Sequence, residues 1–121
     1  MSRGKPFARQ FVLCAALVFT TPAAAEMDGQ AFLRGYDTGT LETRRLYERI
    51  LGATENGISW ANAKVMHDGQ PGIFCPPNNL ALADQQNVDI LRRYLTAHPN
   101  EGTLAYGLIL LSALRETFPC K

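Results

Sequence analysis

Residues 83–97, which read ADQQNVDILRRYLTA, carry the pattern that decides the fold class. The apolar residues of this stretch recur at three- and four-residue spacing and form one stripe: Val88, Ile90, Leu91, Tyr94 and Leu95. This periodicity predicts an amphipathic α-helix over about Ala83 to Ala97, with one face turned towards a core. Pro99 ends the helix, because proline disfavours helical backbone in the residue before it.

Two further helices are predicted upstream. The first begins near Asp28, a good N-cap residue, and stops near Gly39, with Phe32 and Tyr36 facing inward. The second runs from about Leu41 to Met66. Its apolar series is Leu46, Tyr47, Ile50, Leu51, Thr54, Ile58, Ala61 and Val65. The pair Asn56-Gly57 leaves open a kink that would divide this segment into two helices.

A loop and a last helix complete the map. The stretch from His67 to Asn79 is rich in proline and glycine, which predicts a loop. The last helix is predicted from about Gly102 to Thr117, and its inward residues are Leu104, Leu108, Leu111 and Leu114. No segment alternates convincingly as a strand, so the fold is predicted to be all-α with four or five helices.

The first 25 residues are typical of a cleaved signal peptide. Cations at Arg3, Lys5 and Arg9 precede an apolar run, and the run is followed by Ala23-Ala24-Ala25. This apolar run is too short to cross a bilayer, which needs about 20 residues. We therefore expect a domain over residues 26–121 that is exported to the periplasm and does not contact the membrane after cleavage.

The expected mature chain keeps two of the three cysteines, Cys75 and Cys120. An even number of cysteines in an oxidising compartment predicts a structural disulfide. That bond would join the entry of the third helix to the exit of the fourth, so these two helices are predicted to pack side by side. A redox-active pair is disfavoured, because the spacing is not CxxC.

Composition and motifs argue against catalysis and against nucleic-acid binding. Lys and Arg number 12 against 11 for Asp and Glu, and a net charge of +1 is too small to indicate binding to a phosphate backbone. No phosphate-binding loop, nucleophile motif or metal-ligand spacing is present, so no catalytic, cofactor or metal site is predicted. His98 is interpreted as a helix C-terminal residue, and Trp60 as core or half-buried packing.

Four pieces of sequence resemble one family. They are Phe74-Cys75-Pro76-Pro77, the stretch from Gln86 to Leu95, His98-Pro99, and the stretch from Ala113 to Cys120 that ends in Phe-Pro-Cys. In this order and spacing they resemble the Tai-type (Rap-type) immunity proteins of type VI secretion amidase effectors. That family combines a signal peptide with an all-helical domain and a terminal cysteine pair, which Cys75 and Cys120 match.

The resemblance implies a non-enzymatic periplasmic protein, often a homodimer, that blocks the catalytic cleft of a peptidoglycan amidase with a protruding element. As a hypothesis, the polar loop from His67 to Gly72 is that element, with His67, Asp68 and Gln70 as contacts. Many relatives link their first two helices by another cysteine pair, whereas this chain has Gly35, Tyr36 and Tyr47 there.

Two other functions remain open from the sequence. A periplasmic stress or chaperone-like helical protein would have similar size and cysteine use. It would expose apolar surface as carboxylates are protonated at low pH. A small enzyme or redox protein is the third alternative, and it would need a free thiol.

Overall fold

The computed structural model describes residues 26–78 and 80–121, and the predicted signal peptide at residues 1–25 lies outside them. The described chain contains four α-helices: α1 (Gly29–Thr38), α2 (Leu41–His67), α3 (Asp84–Ala97) and α4 (Tyr106–Thr117). A 3₁₀ turn at Pro99–Glu101 follows α3, and the single bridge between Asp28 and Ala105 ties the entry of α1 to that of α4. The all-α prediction is confirmed.

The helix starts have local causes that the sequence shows. The Asp28 carboxylate accepts a hydrogen bond from the Ala31 N–H at 2.7 Å, and Thr40 caps α2 by accepting from the Thr43 N–H at 3.2 Å. α2 is continuous through Gly57, where an added Cβ would meet nothing within 4 Å. The segment is therefore one helix and is not divided at Asn56-Gly57.

The core lies where α3 packs against both α2 and α4. All five residues of the predicted α3 stripe are buried, and so are Phe32 and Tyr36 of α1. The rest of the core comes from the other helices and from the loop before α3: Leu51, Phe74, Ile109, Leu110, Ala113 and Leu114. The side-by-side packing of α3 and α4 is confirmed.

The predicted inward face of α2 is wrong in part. Leu46, Ile50 and Ala61 are exposed, and the buried residues are Leu51, Gly52 and Asn62. The apolar series offered two adjacent stripes, and the stripe that packs is the one carrying Leu51, because Gly52 beside it permits close approach. A Cβ at Gly52 would lie 2.1 Å from the carboxylate of Asp84 at the start of α3.

The prediction for α4 needs a similar correction. This helix begins at Tyr106 instead of Gly102, because the chain first makes the 3₁₀ turn. Leu104 therefore precedes the helix and is 41% exposed, and Leu108 is 50% exposed. Of the predicted inward residues, only Leu114 is fully buried.

The contact between α1 and α2 is aromatic. The Tyr47 ring meets Phe32 edge to face, with ring centroids 4.9 Å apart. The Tyr47 hydroxyl lies only 2.2 Å from where a Cβ at Gly35 would stand, so this glycine lets the tyrosine close the gap.

Polar contacts bind α1 to α2 and α3. Arg92 donates to both carboxylate oxygens of Asp37, at 3.0 and 2.6 Å, and this hydrogen bonding lowers the pKa of Asp37. The Tyr36 hydroxyl contacts Glu48 at 2.8 Å and Gln85 at 3.0 Å; burial and the bond to Glu48 raise the Tyr36 pKa.

Candidate partner-binding surface

The residues predicted to contact a partner lie together at the C-terminal end of α2. We call residues 67–70 the α2 tip: His67 is the last residue of the helix, and Asp68, Gly69 and Gln70 follow it. All four are exposed. The structure thus brings His67, Asp68 and Gln70 into one short polar turn.

Backbone hydrogen bonds give the α2 tip a defined shape. Gly69 has φ +79°, a left-handed conformation that glycine adopts without the steric cost of a Cβ. Its N–H donates to the Met66 carbonyl at 3.0 Å, and the Gln70 N–H donates to the Val65 carbonyl at 3.1 Å. This pair of bonds is the usual glycine-terminated helix end, so the turn is fixed by the helix itself.

The charges at the α2 tip are paired within the chain. The Asp68 carboxylate accepts from the Lys64 ammonium at 2.6 Å, one helical turn earlier. None of the hydrogen bonds among the described residues joins Asp68 to His67, so the two do not form the general-base pair that their adjacency would allow. The described residues also contain no group of His, Cys, Asp and Glu side chains able to hold a metal ion.

Asn62 holds the loop that leaves the α2 tip. Its amide oxygen accepts from the N–H groups of Ile73 and Phe74 at 2.6 and 3.3 Å, and its amide nitrogen donates to the Phe74 carbonyl at 2.9 Å. Asn62 is only 4% exposed, so these bonds are shielded from water. Sequence reasoning missed Asn62, because one amide in a long helical pattern gives no signal until the buried face of α2 is known.

The other end of the loop is fixed by the disulfide between Cys75 and Cys120, whose Cα atoms are 4.9 Å apart. The Cys75 N–H also donates to the Phe118 carbonyl at 2.8 Å. Both cysteines are exposed, and Phe74 between the two anchors is buried in the core. The predicted disulfide is confirmed, and it closes the loop against the end of α4.

Trp60 lies on the exposed side of α2, two turns before the tip. It is 77% exposed, so the interpretation of Trp60 as core or half-buried packing is wrong. The reason is that the core takes its α2 residues from the face that carries Leu51 and Asn62, and Trp60 points away from that face. It is the only tryptophan of the chain.

His98, as expected, ends a helix and packs against neighbouring side chains. It follows the last residue of α3, its ring lies 4.3 Å from that of Tyr94 between centroids, and its Nε2 is 2.8 Å from a carboxylate oxygen of Glu116. This contact joins the end of α3 to the end of α4. His98 therefore has a structural environment that explains it without a ligand.

The described residues form a small helical domain with one disulfide and an exposed polar turn held by backbone hydrogen bonds. This is the class of small, disulfide-linked all-α domains. The model of the family described as Rap1a immunity proteins matches residues 8–120, and the chain belongs to that family. The match confirms the suspected resemblance. No curated protein and no solved structure matches the chain.

No helix of the described chain has the length and apolar character that crossing a membrane requires.

Proposed function

We propose that this chain is a periplasmic, non-enzymatic immunity protein that binds a type VI secretion cell-wall amidase effector and blocks its catalytic cleft. Membership of the Rap1a immunity proteins over residues 8–120 carries this proposal. The anchored α2 tip supports it, because a contact element that is ordered before binding loses less conformational entropy in the complex.

The α2 tip is the proposed inserted element, and His67, Asp68 and Gln70 are its contact residues. The glycine cap fixes one side of the turn, and Asn62 with the disulfide fixes the loop that leaves it. The tip side chains are exposed and project from the end of a 27-residue helix, which is about 40 Å long. A narrow cleft in a partner therefore admits the turn without displacing the core.

The test is calorimetric titration of the mature chain, residues 26–121, into the purified amidase effector of the same bacterium's type VI system. The variant with alanine at His67, Asp68 and Gln70 is expected to bind at least about 30-fold more weakly. The matched control replaces Asp89 and Arg93, exposed polar residues of α3, and should bind like the unmodified chain. Equal affinity for all three proteins would refute the tip as the contact element.

The homodimer is proposed to form through the first half of α2. Leu46 and Ile50 are exposed there, four residues apart on one face of the helix and about 30 Å from the tip along the helix axis. Pairing of two such helices about a two-fold axis buries these side chains against their copies and leaves both tips free. Sedimentation should show a dimer for the mature chain and a monomer for Leu46→Glu. A monomeric mature chain at high concentration would exclude this dimer.

Export is proposed to remove residues 1–25 and to deliver the chain to the periplasm. The confirmed disulfide is consistent with an oxidising compartment. The intact mass of the protein recovered from the periplasmic fraction tests both points. The mass expected is that of a chain beginning at Glu26 with Cys75 and Cys120 oxidised. Recovery of the uncleaved chain from the cytoplasm would refute export.

A further inference from the structure

Trp60 is too exposed to be a residue that packs within the domain. A tryptophan has a large apolar surface that is stabilised by burial, yet this one is 77% exposed in the described chain. The residues around it on α2 are small or polar, namely Ala53, Asn56, Gly57, Ala61 and Lys64, and all of them are exposed. The Trp60 ring is therefore the only large apolar group among these neighbouring exposed side chains.

The helix places Trp60 on the same face as the α2 tip. Trp60, Lys64 and His67 are spaced i, i+4 and i+7, which puts the three side chains in one row along the helix. The distance from Trp60 to His67 along the axis is about 10 Å. Lys64 between them forms an ion pair with Asp68.

A partner bound at the tip would cover this row. A stable protein interface buries about 800 Å² on each side, which corresponds to a patch roughly 30 Å across. A patch of that size centred on His67 and facing the same way extends past Trp60, which lies about 10 Å away along the helix. Exposed aromatic side chains at such positions commonly contribute a large share of the binding energy.

A second copy of the chain is a poorer fit to Trp60 than a protein that contacts the tip. Burial of one tryptophan accounts for about 150–250 Å² of the roughly 800 Å² per side that a stable dimer needs, and its exposed neighbours add little apolar area. The tip residues next to it are polar and, in part, charged, whereas the centres of homodimer interfaces are more apolar.

We propose that Trp60 is the apolar anchor of the partner interface. It inserts into an apolar pocket beside the cleft of the bound amidase while the α2 tip enters the cleft. This inference rests on the proposed function, because it takes the partner to be the protein that receives the tip. The proposal adds to the interface a residue outside the loop. It predicts that the partner presents an apolar pocket about 10 Å from its cleft.

Fluorine NMR of the mature chain labelled with 5-fluorotryptophan tests the proposal directly, because Trp60 gives the only signal and the unlabelled amidase gives none. Addition of the purified type VI amidase effector should shift this signal and protect it from a soluble paramagnetic quencher. In parallel, Trp60→Ala should weaken calorimetric binding at least about 30-fold. Leu41→Ala, at an exposed position on the far end of α2, should leave the affinity unchanged.

The possible results separate failure of the Trp60 anchor from failure of the proposed function. Tight binding with an unshifted fluorine signal and a normal affinity for Trp60→Ala overturns the anchor and leaves the proposed function standing. A signal that depends on the concentration of the labelled chain without amidase, and does not respond to amidase, assigns Trp60 to a contact between copies and also overturns it. Absence of any calorimetric binding by the unmodified chain overturns the proposed function itself. Because Trp60 is exposed, Trp60→Ala should retain the thermal stability of the unmodified chain, which verifies that the variant is folded.

Discussion

Two buried asparagines provide a sharp test of the structure, because the same substitution is expected to act in opposite directions at the two sites. Asn62 of α2 is 4% exposed and Asn87 of α3 is 0% exposed. Asn62 makes three hydrogen bonds to the loop backbone, whereas neither amide atom of Asn87 has a partner among the residues that the structure describes. We therefore expect Asn62→Leu to destabilise the fold and Asn87→Leu to stabilise it.

The magnitude for Asn62→Leu follows from the groups that it strands. The N–H groups of Ile73 and Phe74 and the Phe74 carbonyl lose their partner, and each well-buried group left unsatisfied costs about 1–3 kcal/mol. Ile73 is only half-buried, and the 3.3 Å bond to Phe74 is the weakest of the three. The expected loss in the free energy of unfolding is about 3 kcal/mol, which lowers the thermal unfolding midpoint of a domain this size by about 15 °C.

The magnitude for Asn87→Leu is smaller. Replacement of a buried amide that has no hydrogen-bond partner removes a desolvation cost of about 1–3 kcal/mol. The larger leucine side chain strains the surrounding core and offsets part of this stabilisation. The expected net effect is a stabilisation of about 1 kcal/mol. Urea unfolding of the oxidised mature chain, followed by circular dichroism, measures both values. A loss for Asn87→Leu as large as that for Asn62→Leu would refute the reasoning, because it would mean that Asn87 is hydrogen-bonded.

Three further predictions concern the packing, the disulfide and the surface ion pair. Gly29→Ala should destabilise the fold by about 1–3 kcal/mol, because its Cβ would lie 2.4 Å from Ile109 Cδ1. Gly57→Ala should stabilise the fold by about 0.5–1 kcal/mol, because its Cβ meets nothing within 4 Å and alanine favours a helix over glycine. Equal urea midpoints for the two variants would contradict this. Cys120→Ser should lower the free energy of unfolding by about 4 kcal/mol, the loop-entropy value for a sequence separation of 45. Addition of a reductant should cause the same loss in the unmodified chain. A urea midpoint that responds to neither change would be inconsistent with a stabilising disulfide. The Asp37 pKa lies below its ordinary value of 3.8, so the ion pair stabilises the fold above that value and its contribution is lost as the pH falls through the lower folded-state pKa. Asp37→Asn should therefore be less stable than the unmodified chain at pH 7, and this difference should shrink as the pH falls below 3.8; a difference that persists unchanged at low pH would argue against the pairing.

Helix content and the disulfide could be predicted because both depend on local or pairwise rules. The α3 stripe has one apolar face only, so its period left a single choice of buried side. Phe32 and Tyr36 behaved in the same way in α1. The cysteine pair followed from an even cysteine count and from the expected export to an oxidising compartment, and the structure confirms the disulfide.

The buried faces of α2 and α4 could not be read from periodicity, since each helix offers more than one apolar stripe. Leu46 and Ile50 compete with Leu51 in α2, and the choice is made by the small residue Gly52, which depends on the position of α3. Leu108 competes in the same way with Ile109 in α4. These choices are tertiary, because they are decided by which neighbour comes closest.

The candidate site was predicted in outline only. The exposed turn and its three polar residues followed from the loop composition, but the two features that give the site its character did not. Asn62 is one amide within a long helical pattern, and Trp60 has the sequence signature of a core residue. Both are recognised only when the face of α2 that packs against the core is known.

Inhibition of the enzyme tests the central claim most directly. The mature chain, residues 26–121 with its disulfide intact, should be titrated against the type VI amidase effector of the same bacterium while release of soluble peptidoglycan fragments is followed. The proposed function predicts that hydrolysis falls to zero at one chain per amidase and that the tip variant needs far more protein. Undiminished hydrolysis at a large molar excess of the oxidised chain would contradict it, and an increase in apolar-dye binding between about pH 5 and pH 2 would then favour a stress-protein function.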